Sequence, residues 1–178
     1  EVGGDVLSFR EGTIQALRQD PDIIIVGEMR DAPTIATVLE ATDSGHKVFT
    51  TLHTSSAVES IHRIIAEFLP EEQERIRLRL ADTLSVVISQ KLVPDRDNKL
   101  TLVKEILSVT DSVKAAIRNK NIGEIYQMIT EGKKYGMVTM EQDLHNLYYK
   151  KIISRENALD YSNNRKRMEQ LLSYQEII

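Results

Sequence analysis

Four consecutive β-branched residues at Ile23–Val26, followed at once by Gly27 and Glu28, constrain the fold of this chain more than any other feature. An apolar run without alternation is typical of a strand that is buried on both faces, as in a parallel sheet covered by helices. Pro21 lies two positions before the run, and proline disfavours helical geometry in the residue that precedes it. The sequence therefore predicts a short central strand that leads directly into a carboxylate.

Helical and strand patterns alternate along the first part of the chain. They predict helices near 9–19, 31–44, 55–68 and 70–84, and strands at 23–26, 48–52, 85–93 and 100–109. The strand patterns then stop, and helices are predicted near 111–120, 122–131, 139–150, 154–161 and 164–173. Such alternation favours an α/β fold with parallel strands in the centre. We predict two domains, an α/β domain over residues 1–109 and a helical region over 110–178.

Composition excludes several classes of protein. Apolar residues make up 41% of the 178 residues but aromatic residues only 5%, so the predicted core is aliphatic. The net charge of −4 disfavours general nucleic-acid binding, which needs a basic surface. The chain contains no cysteine, which excludes disulfides and thiolate zinc sites and fits a reducing cytoplasm.

Glu28 stands at the carboxyl end of the predicted strand, which is the arrangement of a Walker B motif. Ligands bind at this edge of open α/β sheets, and a buried strand would hold the carboxylate rigidly there. Glu28 could act on Mg²⁺, directly or through water, or orient an attacking water. The alternative is an acid at an exposed strand end that serves as a helix cap or ion-pair partner.

Two histidines bracket the next predicted strand, His46 before it and His53 just past its end. Because parallel strands end at the same edge, we expect His53 to lie beside Glu28. A histidine at that place can donate a hydrogen bond to a phosphate oxygen. The alternative is a loop histidine followed by helix-capping hydroxyls, but the acidic and histidine motifs together favour a functional site.

Two other kinds of site are not predicted. A phosphate-binding loop requires Gly-x-x-x-x-Gly-Lys-Ser/Thr, and Gly132-Lys133-Lys134 lacks both the first glycine and the hydroxyl. Nitrogen and oxygen ligands for a metal hydrolase are available, but without HxH or HExxH spacing. Those ligands are His46, His53, Glu28 and Asp31.

The motifs GEMRD (27–31), GH (45–46) and TLHTSSA (51–57) occur together in this chain. Their combination closely resembles the secretion-type ATPases of type II secretion and type IV pilus systems, over nearly all of residues 1–109. The resemblance implies the C-terminal half of a RecA-like P-loop ATPase core, and a homo-hexamer that uses ATP and Mg²⁺. It also implies a cytoplasmic motor at the periphery of the inner membrane, with an inner-membrane pilus platform protein as partner.

Within that family the chain is most similar to the pilus retraction type. Extension and secretion ATPases usually carry a tetracysteine zinc element where this chain has only the turn at 95–99. The retraction type also carries the motif Ala-Ile-Arg-Asn-Leu-Ile-Arg-Glu, and Ala116–Asn119 matches its first half. The resemblance therefore implies a motor for pilus retraction and twitching motility. A pilus-extension or type II secretion ATPase, or a non-catalytic assembly module, are the alternatives.

The resemblance also implies roles for individual residues. The catalytic set consists of the Walker B acid, which would hold Mg²⁺ through water, and the histidine-box pair: Glu28, His46 and His53. The residues near the nucleotide or the subunit boundary are Thr54, Arg18, Arg30 and Asp31. The family's phosphate-binding loop and its general base are expected upstream of residue 1.

Overall fold

The computed structural model describes residues 3–173. In this part of the chain the helices are α1 (Phe9–Leu17), α2 (Ala32–Asp43), α3 (Ala57–Ala66), α4 (Pro70–Thr83), α5 (Asp111–Arg118), α6 (Ile125–Glu131), α7 (Met140–Tyr149), α8 (Arg155–Asp160) and α9 (Arg165–Ser173). The strands are β1 (Ile23–Val26), β2 (Lys47–Thr50), β3 (Val86–Pro94) and β4 (Leu100–Ser108). Short 3₁₀ turns occupy Ile122–Glu124 and Gly132–Tyr135. The prediction of an α/β fold is confirmed.

Local chemistry sets several helix starts. Asp31 caps α2, and its carboxylate accepts a hydrogen bond from the backbone N–H of Thr34 at 2.7 Å. Pro33 in the first turn has its φ already set for a helix and lacks an N–H that would have no partner there. Thr139 and Gln142 form a capping box at the start of α7. These elements begin where short-range hydrogen bonds satisfy their first amides.

Strands β1 and β2 pair in parallel, with Ile23 opposite Lys47 and Val26 opposite Thr50. The predicted second strand, 48–52, extended too far, because pairing stops where β1 ends. Beyond the strands the two segments stay in contact, since the Thr51 hydroxyl donates to the Gly27 carbonyl at 2.6 Å. The segments that follow both strands therefore run side by side at the carboxyl edge.

The prediction that β1 is buried on both faces is wrong for this chain. Ile24 and Val26 are buried, whereas Ile23 and Ile25 are 55% and 79% exposed. The β-branched run specifies a strand, but burial of a face also needs an element packed on it. Among residues 3–173, other elements pack on only one face of β1, the face of Ile24 and Val26.

The chain divides into two compact units. The first comprises the chain up to His53 together with Ile61–Leu84, and the second comprises Thr54–Ser60 together with the chain from Ser85 onward. In the first unit, α2 packs against α1, α4 and β2. The first unit contains the parallel strands and the segments that follow them.

In the second unit, β3 and β4 form an antiparallel hairpin that packs with the C-terminal helices. Val86 pairs with Ser108 at one end and Pro94 with Leu100 at the other. The inner face of the hairpin joins a core with α7, α8 and α9, made of Val93, Val103, Met140, Leu144, Ile153, Ala158, Leu159, Met168 and Leu172. The division of the chain into domains at residue 109 stays a prediction.

Candidate functional site at the carboxyl edge of the parallel strands

Glu28 and His53 lie beside each other at the carboxyl edge of β1 and β2. His53 Nε2 is 3.3 Å from Glu28 Oε2, although the residues are 25 positions apart in sequence. This is the juxtaposition expected from parallel strands, each of which leads into a short loop. The edge therefore combines a carboxylate with a titratable nitrogen.

Arg30 completes this cluster, with its Nε 2.6 Å from the same Glu28 oxygen. The hydrogen bond from Arg30 is the main cause that lowers the pKa of Glu28, and His53 adds to it, while burial acts in the opposite direction. Glu28 is consequently a carboxylate at neutral pH. Its side chain is 18% exposed, whereas those of Arg30 and His53 are 69% and 74% exposed. The two nitrogen-bearing side chains are thus open to a ligand.

Residues 53–56, here called the histidine loop, are fixed by hydrogen bonds. The Arg63 guanidinium donates to the His53 carbonyl at 2.8 Å. The hydroxyls of Thr54 and Ser60 are 2.7 Å apart, and Ser60 donates to the Ser56 carbonyl, so Thr54 is the donor to Ser60. Side-chain hydrogen bonds from α3 therefore hold both ends of the loop, His53 and Ser56.

The loop ends where Ser56 caps α3. Its hydroxyl accepts a hydrogen bond from the Glu59 N–H at 3.2 Å. The Glu59 carboxylate in turn accepts from the N–H and the hydroxyl of Ser55, at 2.8 and 2.6 Å. This reciprocal arrangement resembles a capping box shifted by one residue. The helix predicted near 55–68 is confirmed, with Ser56 as its cap.

His46 lies at the other end of the sheet. It precedes β2, whose 4 residues span about 13 Å, so it is near the amino edge and not beside Glu28. Its Nδ1 is 2.9 Å from the Ser44 hydroxyl and 3.2 Å from the Ala41 carbonyl. The geometry places His46 in the turn between α2 and β2.

The remaining predicted residues occupy different places. Arg18 is exposed at the C-cap of α1. One carboxylate oxygen of Asp31 is engaged in capping α2. Thr54 follows His53 directly and bonds to Ser60. Functional roles for these residues and for His46 stay predictions.

Sequence reasoning missed Arg63 and Thr51. The helical spacing offered a signal for Arg63, because residues 56, 60 and 63 recur every three or four positions and share a face of α3. Thr51 had no comparable signal, since its bond to Gly27 spans 24 residues of sequence. Both residues orient the loops that bear the charged cluster.

Two searches within residues 3–173 gave negative results. No group of three or more histidine, aspartate or glutamate side chains there is placed to hold a metal ion. None of the helices in this range combines the length and the hydropathy needed to cross a bilayer.

The fold and the cluster define an α/β protein with its polar site at the carboxyl edge of parallel strands, where such proteins bind their ligands. Residues 4–177 match the family described as type II/IV secretion system protein. The chain belongs to that family.

Known members of the family resemble most of this chain. The type IV pilus retraction ATPase PilT of Pseudomonas aeruginosa is 42% identical over 158 residues, which are 89% of this chain and 46% of the relative. A twitching motility protein of Neisseria gonorrhoeae is 39% identical, over 94% of this chain and 45% of its own length. A crystal structure of the pilus retraction motor PilT with bound ADP superposes with a TM-score of 0.88 at 38% identity, over 96% of this chain and 48% of that one. The chain therefore spans about half the length of the relatives that it matches.

Proposed function

We propose that the full-length protein is an ATP-hydrolysing motor that retracts type IV pili and so drives twitching motility. The observation that carries the proposal is the contact of Glu28 with His53 and Arg30, at 3.3 and 2.6 Å, at the edge where α/β proteins bind ligands. The resemblance to relatives named for retraction and twitching extends over 89% and 94% of the chain, beyond the residues of the site and into the C-terminal helices. The matched part of the chain thus includes Ala116–Asn119, which we interpret as the first half of the retraction motif.

Glu28 would act on the metal that accompanies ATP. Mg²⁺ takes oxygen ligands and usually keeps several waters, which suits a single carboxylate that reaches it through water. Arg30 and His53 both contact Oε2 of Glu28, so an outer contact fits this carboxylate better than direct ligation by that oxygen. When bound, Mg²⁺ would neutralise charge on the phosphates. Glu28 is kept ionised for that purpose by Arg30.

His53 and Arg30 would face the terminal phosphate. Both side chains are largely exposed and carry N–H donors, which are the groups that stabilise charge on a phosphoryl oxygen. A phosphate that attracts either donor competes with Glu28 for it. Loss of the phosphate would return His53 to Glu28, so that hydrolysis changes the contacts of the histidine loop.

The assembly is also part of the proposal. We infer a homo-hexamer in the cytoplasm, docked at the periphery of the inner membrane on the pilus platform protein. Arg18, exposed at the end of α1, would then serve near the nucleotide or the boundary between subunits. His46 stays proposed as the partner of His53 in the histidine-box pair.

One experiment tests the site in the full-length protein. Glu28→Gln and His53→Ala should each lower ATP hydrolysis by about 100-fold and abolish twitching, because each removes a group that acts on charge in the transition state. Glu40→Gln, an exposed change on α2, is the matched control and should leave hydrolysis unchanged. Wild-type hydrolysis in both site variants would overturn the assignment. If a variant loses hydrolysis but still retracts pili, the proposed coupling of ATP hydrolysis to retraction is wrong.

The alternative of a non-catalytic assembly module is tested with the 178-residue chain itself. This sequence has no phosphate-binding loop, so we expect calorimetric titration with Mg-ATP to detect no micromolar binding. If the full-length protein also fails to bind, the assembly module becomes the better description. Micromolar binding by the chain alone would require a different phosphate site.

A further inference from the structure

A buried carboxylate, that of Glu105 in β4, binds the start of α3. Glu105 is 1% exposed, and Oε1 accepts the backbone N–H of Ala57 at 2.8 Å. Burial raises the pKa of Glu105, whereas the backbone N–H of Met140 favours its charged form and so lowers that pKa. Ala57 is the first residue of α3 and Met140 the first of α7. The carboxylate thus receives an otherwise unpaired terminal amide of α3 beside the start of α7.

The position of this carboxylate matters because α3 begins directly after the histidine loop. Residues 53–56 carry His53 at one end and the Ser56 cap at the other. The loop is joined covalently to the first residue of α3. A shift in the start of this helix would therefore move the loop as well. The start of α7 belongs to the C-terminal helices, so Glu105 gives the loop a fixed reference in that region.

A second contact holds the same loop from the C-terminal region. The Asn163 amide donates to the Ser55 carbonyl at 2.9 Å. Lys91 in β3 positions that amide, with its Nζ 2.6 Å from the Asn163 side-chain oxygen and 2.9 Å from the Tyr161 carbonyl. Ser55 and Ala57, two residues apart, are therefore both held by side chains from beyond residue 84.

The chemistry favours a carboxylate at Glu105. Both of its oxygens accept hydrogen bonds, whereas an amide of the same shape has one acceptor oxygen and places N–H donors where the other oxygen stood. The negative charge also suits the positive ends of two helix dipoles. Glu141 is equally buried, but its partners are the Asn164 N–H and the Tyr126 hydroxyl, neither of which is in the loop.

We propose that Glu105 is a positioning residue of the ATPase site: by binding the first amide of α3, it fixes the end of the histidine loop to β4. The inference rests on the proposed function, because it takes His53 to be the group that acts on the nucleotide. Glu105 itself touches neither the nucleotide nor Mg²⁺. Its effect on hydrolysis passes through the position of His53.

The test uses the full-length protein and compares Glu105→Gln with Glu141→Gln. Each replaces a buried carboxylate by an amide of the same shape, and only Glu105 binds directly to the residue that follows the histidine loop. We expect Glu105→Gln to lower kcat about tenfold with KM for ATP within about twofold, and Glu141→Gln to leave kcat within about twofold of the wild type. Thermal unfolding of both variants reports the structural cost separately. Equal losses of kcat in the two variants, or a change in KM alone, would overturn the proposal.

A double-mutant cycle with His53→Ala shows whether Glu105 acts through His53. In the His53→Ala background, Glu105→Gln should lower kcat by less than about twofold, because the positioned group is already gone. A full tenfold loss in that background would overturn the positioning role and leave the proposed function intact. If His53→Ala alone has no effect, the proposed site fails instead.

Should Glu105→Gln fail to fold, Asn163→Ala examines the same loop from the surface. Asn163 is exposed, and the change removes the donor to Ser55 together with the oxygen that Lys91 binds. We expect a loss of kcat of about threefold, again absent in the His53→Ala background. An unchanged kcat in Asn163→Ala would overturn the proposal.

Discussion

The two sheets of this protein differ in how completely they are covered. β1 and β2 carry the charged cluster, yet Ile23, Ile25 and Phe49 are more than half exposed. The β3–β4 hairpin has its inner face sealed against three helices, with Val93 and Val103 fully buried. Its outer face also displays apolar side chains, but the core on the inner side is continuous.

The difference in cover corresponds to a difference in the proposed roles of the two sheets. The residues proposed for chemistry lie on the incompletely covered sheet, where charged side chains remain open to a ligand. Within the second unit, Asn163 bonds to Ser55 of the histidine loop and Glu105 to Ala57, the residue that follows the loop.

The largest expected effect comes from the sealed core. Leu144→Ala should lower the free energy of unfolding by about 3 kcal/mol, since it leaves a cavity among fully buried side chains. Leu78→Ala, the same change at a position 43% exposed in the first unit, should cost less than about 1 kcal/mol. Far-ultraviolet circular dichroism in urea follows both units, and tyrosine fluorescence follows the second unit, because all 6 tyrosines lie at or after residue 126. Equal shifts for both variants would contradict the contrast between the two regions.

The next effect is the pH dependence that Glu105 imposes. Burial is the main cause that raises its pKa, with help from Glu141, while the amides of Ala57 and Met140 and the charge of Lys91 oppose it. The folded state then holds a proton that the unfolded chain releases between the ordinary and the raised pKa. The stabilising contribution is full below the ordinary value and is lost as pH rises through the raised one, by at most about 1.4 kcal/mol per pH unit.

Urea unfolding at several pH values checks this sign. The free energy of unfolding of the wild type relative to Glu105→Gln should fall as pH rises from about the ordinary glutamate pKa. The same measurement on Glu141→Gln shows how much the charge of Glu141 contributes to the raised pKa of Glu105. A difference that stays flat, or rises with pH, would show that Glu105 is not shifted upward.

A smaller effect is expected at the helix cap beside the site. Asp31→Ala should cost about 1 kcal/mol, because the Thr34 N–H loses its acceptor. Thr139→Ala removes the matching cap of α7 in the second unit and should cost a similar amount. Asp97→Ala, at an exposed turn position, serves as control in far-ultraviolet circular dichroism. No loss in Asp31→Ala would mean that its carboxylate is free for a role in binding.

The smallest change in stability is expected on the open face of β1. Ile25→Thr should alter the free energy of unfolding by less than about 0.5 kcal/mol, because the side chain is 79% exposed. It should nevertheless reduce self-association of the 178-residue chain in sedimentation, since exposed apolar strand surface promotes pairing. Leu69→Thr, also exposed but outside the sheet, should not. A monodisperse wild-type chain would remove the reason for this prediction.

The sequence by itself determined the elements and the meeting of the two motifs. The bounds of β1 were predicted without error, because proline before a run of β-branched residues leaves little choice of local conformation. The helix predicted near 31–44 begins at a local cap, a hydrogen bond between residues only three positions apart. The contact of Glu28 with His53 followed from one further rule, that parallel strands end at the same edge.

Only the tertiary structure decided which surfaces are covered and which distant groups meet. A β-branched run does not encode what packs on each of its faces, so the exposure of Ile25 was not predicted. The bond from Ala57 to Glu105 joins residues 48 positions apart, a separation over which local propensity carries no information. On β4 Glu105 shares a face with Val103 and Leu107, a pattern that indicates burial but does not identify its partners. Its partners exist only because the hairpin packs against the starts of α3 and α7.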